Sequence, residues 1–341
     1  MFRSFASHLI HDKWIFPWIS FGATVSELVR AQPIEGLSDQ VLDLVRASRA
    51  PSTLAAYAAD WRRFERWCTK TQRAKAPASA VTLAEYLGEL VKRGLRPSTI
   101  DRARVAIGQA HTLRGLPSPA NDPLINELMK GLRRTLGVAQ REARPLAVEE
   151  LRAVVEGQPT TEMGLRNRAL LVLGFMGALR RSEIVALNVD DVVVERRGLV
   201  LTIRKSKTDQ EGRGARIGLP AQRGNVCPVK VFEAWRASRS PLDVVDDALF
   251  VSLGRRGRGR RLHDQAVWRI LREAAERANV DGLGLSAHSL RAGFATAAAK
   301  AGKPESATRR VTRHRSIAML LKYVRIDDPL DAAAGDSLLD S

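Results

Sequence analysis

The spacing of apolar residues changes once along this chain and then changes back. From 38 to 187 they recur at intervals of three and four, the signature of helices with one buried face. Between 192 and 219 the pattern becomes three short runs suited to strands, at 192–194, 199–203 and 215–219. Gly198 and the stretch 208–214 supply the turns. Helical spacing then returns at 229–237, 264–278, 289–301, 304–311 and 316–324. This order predicts a mainly α chain carrying one small antiparallel β-sheet.

The helical first part divides further. Pro51-Ser52-Thr53-Leu54 and Pro97-Ser98-Thr99-Ile100 open two helices alike. Proline stops a helix entering from upstream, and Ser or Thr is expected to cap the new one. Leu54, Tyr57, Trp61, Phe64 and Cys68 then form one apolar stripe, expected in a core, with Arg62, Arg63 and Arg66 off it. Further helices are expected at 82–93, 98–113 and 122–136, so 38–140 reads as a small helical domain. The basic stretch 133–144 ends at Pro145 and reads as a linker. Residues 145–330 form a second, mixed α/β domain, followed by a tail at 331–341.

Residues 1–37 read as a variable extension. Positions 14–23 are apolar and aromatic, but Asp12 and Lys13 precede them and Pro17 interrupts them. The run is too short to span a bilayer and makes no convincing secretion signal. A cytoplasmic, nucleoid-associated protein is expected. Cys68 and Cys227 stand far apart without metal-ligand spacing, which suits a reducing compartment and a metal-free protein.

Charge narrows the partners. Lys and Arg number 55 and Asp and Glu 37, a net +18. So large a positive excess makes a polyanion the first partner to consider. The segment 254–261, Gly254-Arg255-Arg256-Gly257-Arg258-Gly259-Arg260-Arg261, reads as a Gly/Arg loop whose flexible arginines would follow DNA phosphates. Arg102, Arg104 and Lys205 are further DNA-binding candidates.

Seven positions in the second domain suit phosphodiester chemistry: Arg180, Glu183, Lys207, His288, Arg291, His314 and Tyr323. Gly177 is expected to end one helix and Ser182 to cap the next, holding Arg180 at a helix junction with Glu183 one turn on. Lys207 lies at a hairpin tip; Lys205 has the same strand parity, and geometry alone does not choose between them. His288 and Arg291 are three apart at a helix start, where positive partial charge favours anions. Tyr323 falls beside the apolar stripe of a helix that Ser316 begins. Arginine offers planar bidentate donors to phosphate, and tyrosine can attack the phosphorus.

This ordered set resembles the tyrosine recombinases of the phage integrase family, in the branch of Xer-like resolvases and mobile-element integrases. The resemblance covers roughly 40–330. It implies a helical core-binding, SAM-like domain at 38–140 and a catalytic domain at 145–330, closing on DNA as a C-shaped clamp. Carried over by residue, Arg180, His288, Arg291 and Tyr323 form the Arg-His-Arg-Tyr core. Lys207 is the hairpin lysine, Glu183 the acidic residue after the first arginine, and His314 the second His/Trp position. Arg313 departs from the glycine often found before that histidine, and is expected to alter loop geometry slightly.

The implied activity is site-specific cutting and rejoining of double-stranded DNA through a 3′-phosphotyrosine, in integration, excision or resolution. It implies no metal and no cofactor. Four protomers would act on two DNA sites, with accessory DNA-bending proteins as further partners, and the tail would dock on a neighbouring protomer. Relaxation of DNA in the manner of a type IB topoisomerase, or DNA binding without catalysis, are the alternative functions.

Overall fold

The structure is a computed structural model that describes residues 38, 40, 48–137, 143–204, 214–239, 244–255, 257–314, 316, 318 and 320. The chain divides into two compact units, Met1–Gln140 and Arg141–Ser341. Among the described residues no helix is long and apolar enough to cross a membrane.

In the first unit, α1 (Pro51–Lys70), α2 (Ala80–Lys92), α3 (Pro97–Thr112) and α4 (Pro123–Leu136) surround one core. Trp61, Phe64 and Cys68 of the α1 stripe are buried there with Tyr86, Leu87, Ile100 and Ile107. Phe64 meets Tyr86 edge to face, with ring centres 5.1 Å apart. The starts of α1 and α3 differ from expectation. Ser and Thr do not cap them; proline takes the first helical position, behind Ala50 and Arg96. Its fixed φ suits that place, and its missing N–H would have had no partner within the helix.

In the second unit, α5 (Val148–Glu156), α6 (Glu162–Met176) and α7 (Arg181–Ala186) lead into the sheet. Strands β1 (Val192–Glu195), β2 (Gly198–Ile203) and β3 (Ala215–Pro220) form an antiparallel meander in that order. Val192 stands opposite Leu201, and Leu199 opposite Leu219. Leu199, Leu201 and Ile203 alternate along β2 onto the buried face. After the sheet come α8 (Pro228–Arg239), α9 (Asp264–Arg277), α10 (Ser289–Lys300) and α11 (Glu305–Thr312).

The α6 helix is buried from Ala169 to Phe175 and forms the centre of this unit. It packs against α5, α8 and α10. Gly293 of α10 admits the chain before α5: a Cβ there would lie 2.2 Å from the carbonyl oxygen of Leu146. Leu146 in turn donates its N–H to Ser289 O at 3.1 Å. The N-terminus of α10 is thereby fixed against the core.

Candidate active site

Three chain junctions meet in the second unit: the α6–α7 turn, the N-terminus of α10 and the C-terminus of α11. The first departs from expectation. Gly177 does cap α6, but the left-handed residue is Ala178, at φ 45°. Ala178 N–H bonds to Phe175 O at 2.9 Å and Leu179 N–H to Gly174 O at 2.9 Å, the paired bonds of a Schellman turn. Nor does Ser182 cap α7. Arg180 takes that place, and Glu183 reaches back to accept its N–H at 2.8 Å.

Glu183 is the hub. Its side chain is 1% exposed. One oxygen accepts from Arg180 Nη1 at 2.8 Å; the other accepts from Arg313 Nη2 at 2.5 Å. Burial alone would raise the carboxyl's pKa. Arg313, the Arg180 N–H and the Arg180 guanidinium outweigh it and hold the pKa below its ordinary value. The carboxylate is therefore ionised at neutral pH.

Arg291 is 1% exposed, deep on α10. One Nη donates to Ala178 O at 2.7 Å, and the other donates to Thr312 O. These carbonyls stand at the two junctions that flank it. His288 caps α10 and is exposed, so the pair does not share one environment although it lies within one turn.

His314 follows α11 and is 5% exposed. Burial, then the guanidinium charges of Arg291, Arg180 and Arg313, push its pKa down to about 3. The imidazole is neutral at physiological pH. It can donate one hydrogen bond to an anion but cannot serve there as a charged acid. Arg313 itself has left-handed backbone, φ 56° and ψ 38°. Its Nη1 donates to Gly177 O at 3.3 Å and Val311 O at 2.6 Å.

The structure thus brings together Arg180, Glu183, Arg291 and His314, and adds Arg313. Sequence reasoning treated Arg313 only as a loop variant. Its dipeptide context carries no sign of a tertiary ion pair with a residue 130 positions earlier. Lys205, Lys207 and Tyr323 lie outside the described residues, as do Arg256 and the expected helix end at 321–324.

The DNA-binding candidates are held in different ways. Arg102 grips the buried Asp60 through Nε at 2.7 Å and Nη2 at 3.2 Å. Arg104 bonds Asp101 and Ala120 O. The described residues of 254–261 lie in and beside a backbone-paired turn rather than in an unpaired loop. Val251 bridges Arg261, Ser252 donates its N–H to Arg260 O and accepts from Gly259 N–H, and Gly257 and Gly259 take positive φ. Arg261 is committed to protein acceptors, donating to Val185 O, Leu187 O, Asn188 Oδ1 and Asp246. Arg258 pairs with Glu162 at 2.8 Å. Arg255 and Arg260 are exposed.

Residues 144–329 match the Phage integrase family. An integrase/recombinase xerD homolog of Selenomonas ruminantium is 32% identical over 306 residues, covering 86% of this chain and 87% of that protein. Tyrosine recombinase XerD of Mycobacterium tuberculosis H37Rv is 29% identical over 299 residues, covering 81% and 88%. Among solved structures, XerH site-specific recombinase bound to a palindromic difH substrate shares the fold. Its TM-score is 0.63 at 19% identity, over 86% of this chain and 81% of that one.

Proposed function

Because the chain belongs to the phage integrase family, we propose a division of catalytic labour among its residues. The chain is a tyrosine-type site-specific DNA recombinase, an enzyme that breaks and rejoins DNA strands. Arg180 and Arg291 would hold the two non-bridging oxygens of the scissile phosphate. Attack adds negative charge to those oxygens, and donors fixed beforehand stabilise it without reorganising. Glu183 orients Arg180, and neutral His314 donates a hydrogen bond to the same phosphate.

Tyr323 is the proposed nucleophile. Its hydroxyl has a reference pKa of about 10 and needs a proton acceptor, a role we assign to His288. The Tyr323 oxygen bonds to phosphorus and the bond from phosphorus to the 5′ oxygen breaks. The leaving 5′ oxygen takes a proton from Lys207. A 5′-hydroxyl from a partner duplex then attacks the 3′-phosphotyrosine and reverses the sequence. The ester bond is exchanged rather than hydrolysed, so its free energy is retained.

The observation that best supports these roles is the junction itself. His314 lies within the field of three guanidiniums, and Glu183 bonds two of them. We assign 38–140 to core binding, 145–330 to catalysis, and 1–37 and 331–341 to the flanks. Arg102, Arg104, Lys205, Arg255, Arg256, Arg258 and Arg260 are proposed DNA contacts; Arg255 and Arg260 are exposed, whereas Arg261 is withdrawn from them because its donors are spent on protein acceptors. Four protomers on two sites, with accessory DNA-bending proteins, complete the proposal for action on DNA in the cytoplasm.

The test uses nicked suicide duplexes drawn from DNA flanking the gene, with wild type and Tyr323→Phe compared on a denaturing gel. An adduct with wild type alone supports Tyr323 as nucleophile. Adducts with both proteins would move the nucleophile elsewhere, and specific retention without any adduct would favour binding over cleavage.

A further inference from the structure

Resting on Arg180 as a phosphate-binding residue, we propose that Arg313 is a positioning residue for the cleavage reaction. It neutralises Glu183, so that Glu183 can orient Arg180 without cancelling its charge.

The geometry carries this. Glu183 is shared: Oε1 takes Arg180 Nη1 at 2.8 Å, while Oε2 takes both the Arg180 N–H at 2.8 Å and Arg313 Nη2 at 2.5 Å. Arg180 and Glu183 alone would form a neutral pair, with little attraction for an anion. Two guanidiniums and one carboxylate leave a net charge of +1 on the triad. All three side chains are at most 14% exposed, so water screens that charge poorly.

Backbone conformation singles out the same residue. Position 313 is left-handed, a conformation that a side chain disfavours and glycine adopts readily. An arginine at such a position has a backbone disadvantage that its side chain must offset. That side chain joins three elements: Gly177 O at the end of α6, Glu183 on α7, and Val311 O on α11. The flanking Thr312 accepts from Arg291, and His314 follows directly. One residue therefore ties both proposed phosphate arginines to a common frame.

A purely structural ion pair would use the same atoms, so the test must separate charge from fold. We would measure single-turnover cleavage at saturating protein, on a nicked duplex with which wild type forms an adduct. Arg313→Gly removes the charge and relieves the backbone. It should lower the melting temperature by several degrees, because Gly177 O, Val311 O and Glu183 each lose a donor, yet remain folded at the assay temperature and cleave slower by about 10- to 100-fold, the scale of a residue that orients a direct ligand. Arg313→Lys should recover most of the rate, and Arg313→Gln, which has the same backbone cost, should not.

The sharper arm adds Glu183→Gln to Arg313→Gly. Glutamine still accepts from Arg180 but carries no charge, so the double variant should cleave faster than Arg313→Gly alone. Equal rates for Arg313→Lys and Arg313→Gln, or a double variant no faster than Arg313→Gly, would overturn the proposal. Arg180→Ala separates the two levels. If it cleaves like wild type, the assignment of Arg180 fails. If it is inactive while Arg313→Gly cleaves at the wild-type rate, only the role of Arg313 fails.

Discussion

The Arg291 guanidinium donates a hydrogen bond to the carbonyl oxygen of Thr312, the last residue of α11. Its other Nη binds Ala178 O at 2.7 Å. Arg291 is thus a strut between two turns before it is a ligand for anything else. Arg291→Lys keeps the charge but offers one ammonium in place of a planar fork, and cannot satisfy both carbonyls. We expect a loss of about 1–3 kcal/mol in unfolding free energy, the cost of one unpaired buried acceptor. Urea denaturation checks this, and unchanged stability would remove the strut.

Glu183→Ala leaves two guanidiniums facing each other with no carboxylate between them. Breaking a buried pair from one side costs about 3–5 kcal/mol, so this variant should be among the least stable of any single change here. The Glu183 pKa is held below its ordinary value, so its stabilisation is present above about pH 4.3 and is lost as pH falls through the folded pKa. A Glu183→Gln protein should lose stability less steeply in acid than wild type.

His314 predicts a second pH dependence of the same sign. The unfolded chain protonates this residue below about pH 6.5, whereas the folded chain holds it neutral down to about 3. Unfolding therefore takes up a proton between those values, and stability falls as pH drops from about 6.5 towards 3. Buried His111 is shifted in the same direction, so His314→Gln should weaken this slope without abolishing it. Unfolding free energies measured at four or five pH values decide; an identical slope would contradict the neutral, buried imidazole.

Gly293→Ala tests the seating of α10. The added Cβ would lie 2.2 Å from Leu146 O and 2.7 Å from Phe175 Cε2. The first neighbour is backbone and cannot rotate away. We expect about 1–3 kcal/mol of destabilisation, as for other overpacked cores, together with slower cleavage because Arg291 rides on this helix. Wild-type values for both would show that the helix shifts freely.

Arg261 and Arg255 should behave oppositely although both belong to the Gly/Arg segment. Arg261→Ala removes donors to Val185 O, Leu187 O and Asn188. It should lower stability and leave the salt dependence of DNA binding unchanged. Arg255 is exposed; if it meets a phosphate, Arg255→Ala should reduce the slope of log affinity against log salt by about 1. Reversed results would return Arg261 to the DNA contacts and remove Arg255.

What the sequence by itself determined follows from local periodicity and ordered residue types. The three-strand meander was legible because three short strand-like runs, separated by turn residues, interrupt the helical spacing. The helices at 97–112, 264–277 and 289–300 were legible to within a residue or two, because one face of each is apolar. Arg180, Glu183, Arg291 and His314 were legible as a set because their order and local spacing resemble the phage integrase pattern, and the structure brings them together.

Only the tertiary structure decided how these residues are held. That Ala178 rather than Gly177 turns left-handed is invisible locally, since alanine carries no turn signal; the Schellman bonds and Arg291 impose it. That Arg313 reaches Glu183 depends on α7 and α11 meeting in space across 130 positions. That Arg261 is a strut while Arg255 is exposed depends on which carbonyls the paired turn brings near. Local sequence sets where helices and strands begin and end. Long-range hydrogen bonds and buried charge pairs form only after those elements pack, and they decide which arginine braces the site and which faces solvent.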